Sequence, residues 1–389
     1  MKKSKLCLLI VLLVLLTSCQ KVKEIHDQAY AVGMGVDYVE DEYHVVLQFL
    51  DFSNVAKSEQ GKAAEKIPVW LAKGTGKTIE TALIDVYDTV EMQVNYEQLN
   101  LVLFGEGIIT SPEQLERAFE TFTSSFTVRL TAWSYGTKEK FEDIFTSSVM
   151  FDFPFSYSRL NQPGEGMQQN ATVKAIALRD FVLRINERPK TTMVPSIKLN
   201  KKNVLKSTEP VVTTVIDGAY IFSDKTYNGW LSTTDLKGYI WTNNQSQRAL
   251  TEIEEEKGKH IVVELLEPSI KLKKKKNERS YDIEVDLRAM IKESVAPKVT
   301  EAQIKKRIET LVEKEVEKTY KVGQEIGADI FQLEDHLFRY HFKDWQKNKS
   351  EQQNVKLADI VINVKPLYSI DKYKKTRKDA NTTRDEQTK

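Results

Sequence analysis

Two thiols, one glycine-lysine-threonine turn and five histidines are the groups in this 389-residue chain whose chemistry reaches beyond packing. Gly74-Thr-Gly-Lys-Thr78 invites a phosphate-binding reading. A phosphate loop needs Gly-x4-Gly-Lys-Thr, so that a glycine-rich turn wraps the anion with backbone amides. With Gly76-Lys77-Thr78 in place the first glycine belongs at position 71, which is Leu71. The segment therefore reads as a turn from a strand into a helix. His26, His44, His260, His336 and His341 include no His-x3-His pair, and thiolate ligands are scarce, so no structural zinc site is expected. His336 and His341 stand five apart beside Glu334 and Asp335, a spacing that does not stack on one helical face, and read as a polar surface cluster. No Gly-x-Ser-x-Gly elbow occurs, although a triad assembled across the fold stays open. Carboxylates are too numerous, in a chain that is 29% charged, for any pair to stand out. The expectation is a protein with no catalytic residue, no metal and no cofactor.

The one position with a definite chemistry is Cys19. Lys2, Lys3 and Lys5 precede an uncharged apolar run from Leu6 to Leu16, which ends in Thr17-Ser18-Cys19. A basic start, a short apolar stretch and small residues before a cut make a secretory leader. The run is 11 residues long, where a membrane-crossing helix needs about 20. Leu16-Thr17-Ser18-Cys19 is similar to the lipobox of bacterial lipoproteins. That resemblance implies cleavage after residue 18 and a diacylglyceryl group on the Cys19 sulfur, which becomes the new amino terminus. One acyl chain holds a protein only marginally and two hold it stably, so the mature chain would be tethered at its first residue.

Composition sets bounds on the rest. The formal charge of +1, less the leader lysines Lys2, Lys3 and Lys5, becomes −2. No nucleic-acid partner is expected from so balanced a chain, because such binding relies on neutralising phosphates. Cys7 leaves with the leader and Cys19 is lipidated, so an exported protein is left without disulfides and relies on its cores.

The pattern of elements predicts a mixed α/β (α+β) protein of three consecutive domains, each a mixed or antiparallel sheet with packed helices. After the leader, 1–18, a first mixed α/β domain covers 19–165. It holds a hairpin of 29–37 with 43–51, a loop over 53–66 and a strand at 67–73. A helix over 78–92 follows, capped by Thr78, then a fully apolar strand at 99–104 and a helix from Pro112 to Phe122. A strand at 130–135 and a short helix at 138–145 complete it. Asn161 to Gly166 is the linker candidate. A β-rich middle domain, 166–277, carries a helix over 172–185 and strands at 193–199, 211–222 and 260–266. It closes in the basic run Lys271-Leu-Lys-Lys-Lys-Lys-Asn277, read as a solvated loop or an edge strand blunted by lysines, with anionic lipid headgroups as the other reading. In the third domain, 278–370, Ile283, Val285, Leu287, Ala289 and Ile291 alternate with charged residues as in a half-buried strand. Thr300 and Gln303 form a capping box ahead of a long helix whose apolar face carries Ile304, Ile308, Leu311, Val316 and Ile326. Ile360, Ile362 and Val364 return as a strand, predicting a small antiparallel sheet beneath a long amphipathic helix. The charged tail 371–389 lacks apolar anchors and is expected to be disordered.

As an ordered set, these segments resemble the Ger(x)C family, the lipoprotein C subunits of spore nutrient germinant receptors. The resemblance is carried by the lipobox, Glu24-Ile25, Ala31-Val-Gly-Met-Gly-Val-Asp37, Gly74-Thr-Gly-Lys-Thr-Ile-Glu-Thr-Ala-Leu83 and the strand Leu99 to Gly107. Further along it runs through Asp217-Gly-Ala-Tyr-Ile-Phe222, Gly229-Trp-Leu231, Gly238-Tyr-Ile-Trp241, Gln324, Asp329-Ile-Phe331 and Trp345. Three departures stand out. Gln20-Lys21 replaces the Trp-Asp that often follows the family's cysteine, Gln332-Leu-Glu334 replaces Gly-Phe-Gly, and Phe342-Lys-Asp-Trp345 lacks the family's proline. The resemblance implies a non-enzymatic subunit working with two integral membrane subunits, of A and B type, at the outer face of the inner membrane of a Gram-positive spore. It leaves open whether this subunit touches the nutrient. Trp230 and Trp241 are candidate partner contacts, with core aromatics the plainer reading. The alternative from a different class is the solute-binding lipoprotein of an ABC importer, and an exported hydrolase is the third.

Cys19→Ala is expected to abolish incorporation of labelled palmitate and to release the chain from the membrane fraction. A mutant that fractionates with membranes like the parent removes the basis for an anchor at this residue.

Overall fold

A computed structural model describes residues 28–50, 68–124, 129–164, 173–242, 248–254, 260–276, 278–294, 300–350 and 355–366. Cys19, the leader, the segment 53–66 and the tail 371–389 lie outside the described residues, as do parts of the proposed linker.

Strand formation follows the apolar pattern. β1 (Gln28–Val39) and β2 (Glu42–Phe49) form the expected hairpin, turned by Glu40 and Asp41 with φ of 52° and 62°. β3 (Trp70–Gly76) pairs with β2 and runs into α1 (Ile79–Tyr87). Thr78 caps this helix by accepting from the Thr81 amide at 3.1 Å, so the threonine of the false phosphate loop serves as an N-cap. Gly74 and Gly76 are required by proximity, since a Cβ on either would strike the backbone of Ala82 or the side chain of Thr81. β4 (Gln93–Asn95) adds a short parallel pairing to the start of β1.

β5 (Leu101–Gly105) shows why a continuous apolar run reads as a central strand. Val102 and Phe104 point into one core, Leu101 and Leu103 into the other, and all four are inaccessible. After the one-turn α2 (Glu106–Ile109), α3 (Pro112–Ser124) crosses to β6 (Trp133–Thr137), which lies parallel to β5. α4 (Phe141–Phe145) follows; then the short β7 (Ile176–Ala177) leads into α5 (Leu178–Asn186). The helices sort onto two faces. α1, α3 and α5 cover one through Val86, Phe119 and Phe181, and α4 covers the other through Phe141, Ile144 and Phe145. The result is a three-layer arrangement.

The sheet continues past residue 165. β8 (Thr191–Asn200) lies parallel to β6 through Gly136–Ser196 and Thr137–Ile197. The small ribbon of β9 (Leu205–Lys206) and β10 (Glu209–Pro210) stands apart. β11 (Thr213–Ser223) and β12 (Thr226–Ser232) extend the sheet antiparallel, giving the order β12-β11-β8-β6-β5-β1-β2-β3, with β4 on β1 and β7 on β6. A second sheet begins after α6 (Lys237–Thr242). It comprises β13 (Arg248–Glu254), β14 (His260–Lys274), β15 (Ser280–Ser294) and β16 (Lys356–Pro366), in that order. Between β15 and β16 the chain forms α7 (Glu301–Glu325), α8 (Leu333–Tyr340) and α9 (Phe342–Ser350).

Two expectations need correction. The strands assigned to a middle domain, 166–277, are divided between the two sheets: β8, β11 and β12 belong with β1, and β13 and β14 with β15. The pairing that decides this joins residues 60 apart in sequence, as in the Thr137 hydroxyl donating to the Ile197 carbonyl, and local composition does not register it. The sheet of the last segment is also mixed rather than antiparallel, because β16 runs parallel to β15. The helices α7 to α9 between these strands form a crossover, which carries the chain from the far end of β15 back to the end of the sheet where β15 begins, so that Ser280 pairs with Lys356. The helix itself forms where expected, with Val312 rather than Leu311 fully buried on its apolar face and Ile326 just past its end, packed in a different cluster. Thr300 and Gln303 complete a capping box, and Ile304, Ile308, Val312 and Val316 pack at four-residue spacing against Tyr281, Ile283, Val285 and Leu287.

The first core centres on Phe104, whose ring meets those of Phe119, Phe122 and Phe181 edge-on at 6.1, 6.3 and 5.7 Å. Phe104→Ala is expected to destabilise this unit by about 3–5 kcal/mol, read as a lowered midpoint in urea unfolding.

Candidate functional site

Of the segments singled out by sequence, 217–222, 229–231 and 329–331 meet at a seam between the two sheets, with 238–241 packed on α7 beside it, whereas 31–37, 74–83 and 99–107 build the first core; none of them lines a reactive cleft. The apolar part of the seam brings Ala219, Ile221 and Leu231 from β11 and β12 against Ala328 and Ile330, which follow α7. β12 comes close because Gly229 has no side chain: a Cβ there would press on Ile326. α6 lies on α7 for the same reason, since a Cβ on Gly238 would overlap the backbone of Glu315 and Val316. That contact is sealed by hydrogen bonds. The Gly238 amide donates to the Thr319 hydroxyl at 3.0 Å, and that hydroxyl donates to the Asp235 carbonyl at 2.5 Å.

Both tryptophans are held from within. Trp241 is 3% exposed and its indole donates to Glu315 at 2.5 Å. The Trp230 indole donates to the Ser196 hydroxyl at 2.8 Å, and Ser196 in turn donates to Asp217. This chain links the Gly-Trp-Leu segment to the Asp217-Gly segment across β8. The geometry agrees with core aromatics rather than partner contacts.

Polar clamps complete the seam, and sequence reading missed them. Gln332 accepts from the Thr191 amide at 3.2 Å and donates to the Thr191 carbonyl at 2.7 Å. Its backbone has φ of 60°, the left-handed region that glycine enters freely. Gln332, at a position where the resemblance implies glycine, was the available signal: its side-chain amide satisfies both backbone groups of Thr191. Asn228 donates to the carbonyls of Ile326 and Gly327, each at 3.2 Å. Arg339 bridges Glu187 of the first unit and Asp335 of its own helix. Such an exposed pair contributes little by itself.

Beside the clamp, Asp329 accepts from the Glu334 amide at 2.7 Å. Burial pushes its carboxyl up to about 6 from 3.8, against the opposing effect of the Glu334 and Leu333 amides. Glu334, also raised by burial, and Asp335 lie close by.

The remaining candidates resolve as structure. The Asp37 carboxylate accepts from the amides of Tyr38 at 2.8 Å and Ile108 at 3.0 Å, holding the first turn of α2 against β1. His336 hydrogen-bonds the Tyr281 hydroxyl at 3.1 Å, and its ring lies 6.1 Å from that of His341. Among the described residues no group of three or more His, Cys, Asp or Glu side chains is placed to hold a metal ion. The basic run lies in the part of β14 beyond its pairing with β13, so it is an edge, as expected. Its lysines face carboxylates across the ladder: Lys271–Asp286 at 2.6 Å, Lys273–Glu284 at 2.6 Å and Lys275–Asp282 at 3.3 Å. No helix among the described residues is long and apolar enough to cross a membrane.

The raised Asp329 carboxyl sets a sign for pH dependence. Its folded value exceeds its unfolded one, so its contribution is fully present below about 4 and is lost as pH rises through about 6. In Asp329→Asn, stability measured by urea unfolding is expected to lose this decline between pH 4 and 6, while the parent keeps it.

Two family models match this chain in sequence. The spore germination protein N-terminal domain covers residues 21–199, and the spore germination B3/GerAC like, C-terminal model covers 217–373. The chain is 25% identical over 384 residues to spore germination protein KC of Bacillus subtilis (strain 168), covering 92% of this chain and 94% of that protein. The crystal structure of the GerBC protein superposes with a TM-score of 0.54 at 15% identity, over 86% of this chain and 97% of the other, a likeness of fold. With both halves of its seam inside the matched residues, the chain belongs to the Ger(x)C family of spore germination proteins.

Proposed function

We propose that this chain is the lipid-anchored, non-enzymatic subunit of a germinant receptor, acting with two integral membrane subunits, of A and B type, in nutrient-triggered spore germination. The observation that carries the reading is the order of the two family models along one chain, behind Leu16-Thr17-Ser18-Cys19. The anchor is a diacylglyceryl thioether at Cys19, and its site is the outer face of the spore's inner membrane. Tethering to a surface raises the effective concentration of weakly binding partners without any new contact. A scaffold suits that task, and the seam supports it: the shared segments 217–222, 229–231 and 329–331 build a joint between two units instead of meeting in a cleft.

The importer reading is the weaker one. Solute-binding lipoproteins close two similar lobes about a hinge that the chain crosses more than once. Here the units differ in topology, and among the described residues the strands of the first sheet all precede those of the second.

The test is extraction of the receptor from spore membranes in mild detergent with a tag on this chain. Two polytopic membrane proteins are expected to co-purify with it, and the purified chain alone is expected to give no heat of binding with amino acids or sugars. A micromolar affinity for a nutrient in the isolated chain, without such partners, would favour the importer.

A further inference from the structure

One surface has no role in the seam or in either core. Met150, Phe151, Phe153 and Tyr157 are 55%, 77%, 48% and 48% exposed, an apolar concentration within eight residues that a surface in water rarely carries. The rings form one group, with Phe151–Phe153 at 6.3 Å and Phe153–Tyr157 at 5.6 Å. The backbone is turned to present them: Phe151 and Asp152 have φ of 60° and 57°, a left-handed pair that is a genuine outlier for so bulky a residue as phenylalanine. Strain of this kind persists where the surroundings impose it and marks functional segments.

The position of the patch says what covers it. Phe153 and Phe155 line one hollow together with Val32, Phe49 and Leu50. Val32 follows the first described residue, Gln28, by four positions along β1, so the patch sits at the end of the sheet where the chain enters. Cys19 is nine residues before Gln28, a covalent reach of at most about 30 Å. A bilayer holding Cys19 is therefore within reach of this end of the molecule. The β9–β10 ribbon beside the patch, and the residues flanking both segments, supply lysines and an arginine. The Lys206 ammonium is 2.7 Å from Asp152, the Ser148 amide donates to the Val212 carbonyl at 2.7 Å, and Leu205 beside Lys206 is 59% exposed. Lys201 and Lys202, before the same ribbon, and Arg159, after Tyr157, are exposed as well. The acids on these segments are Asp152, paired with Lys206, and Glu209. Exposed Phe side chains bury at the boundary between headgroups and acyl chains, a Tyr ring settles at the headgroup level, and lysines beside them meet anionic lipid.

We infer that the 150–157 segment, with the Leu205–Lys206 ribbon beside it, is a membrane-resting surface that takes an anionic bilayer interface and fixes how the anchored protein stands on it. The inference rests on the lipid-anchored reading, because the anchor is what brings this end to the membrane. Its test dispenses with the anchor, so that the two fail separately. The chain from residue 20 onward, which retains every described residue, is sedimented with vesicles of phosphatidylglycerol and phosphatidylcholine in equal parts. The parent chain is expected to partition onto these vesicles and far less onto phosphatidylcholine alone. Phe151→Ser with Phe153→Ser is expected to reduce the bound fraction at least tenfold, with an unchanged urea midpoint showing that the fold is intact. No partitioning by the parent, or partitioning that the double variant leaves unaltered, overturns the inference. So does a double variant that keeps its lipid binding but no longer co-purifies with membrane proteins, since the patch would then be a protein contact.

Discussion

Between Gly136–Thr137 of β6 and Ser196–Ile197 of β8 the first sheet is joined by two residue pairs, and the placement of everything after residue 190 depends on them. The join is tight. Gly136 has no side chain because Tyr220 and Ile109 occupy the space where a Cβ would lie, and the Thr137 hydroxyl donates to the Ile197 carbonyl at 3.0 Å. Through it β8, β11 and β12 become one sheet with the strand that leads back toward Cys19. The second sheet is then clamped to that body at Thr191, Asn228 and Gly229. A short parallel contact thus relays orientation from the start of the chain to its far unit.

The seam works by satisfying backbone groups where apolar packing alone would leave them stranded. A buried amide or carbonyl without a partner costs about 1–3 kcal/mol, so the paired bonds between Gln332 and Thr191 constrain geometry more than an ion pair at the rim does. Asn228 treats the end of α7 in the same way, accepting no ambiguity about where its last carbonyls point. Glycine does the complementary work at Gly238, where the approach of two backbones leaves no room for a Cβ, and at Gly229, where a Cβ would press on the Ile326 side chain. The units are held by shape and directional bonds together, which suits a part whose task is to hold position.

Charge is arranged locally rather than as a field. The lysines of β14 are matched by carboxylates on β15, and Asn363 of β16 donates to Glu284 and Asp286 as well. A run that looks strongly basic in one dimension is therefore largely compensated on the folded surface. An uncompensated apolar feature lies elsewhere, on the 150–157 segment, to which the sequence pattern assigns no element.

Much of the local structure was legible in the chain itself. The hairpin of β1 and β2, the Thr78 and Thr300 caps, the doubly buried β5 and the apolar stripe of α7 follow from periodicity and capping chemistry, which act over a few residues. The spacing at Leu71 also excluded a phosphate loop, and the lipobox-like Cys19 and the ordered family segments pointed to a germination protein. What the tertiary structure decided were the long-range pairings: β8 beside β6, β16 parallel to β15, and the clamps of Gln332, Asn228 and Arg339. Each joins residues separated by some 60 to 150 positions, or sets the direction of a strand whose alternation is the same either way. Alternation reports which face of a strand is buried, because burial is a property of one residue. It does not report the neighbour, because pairing is a property of two.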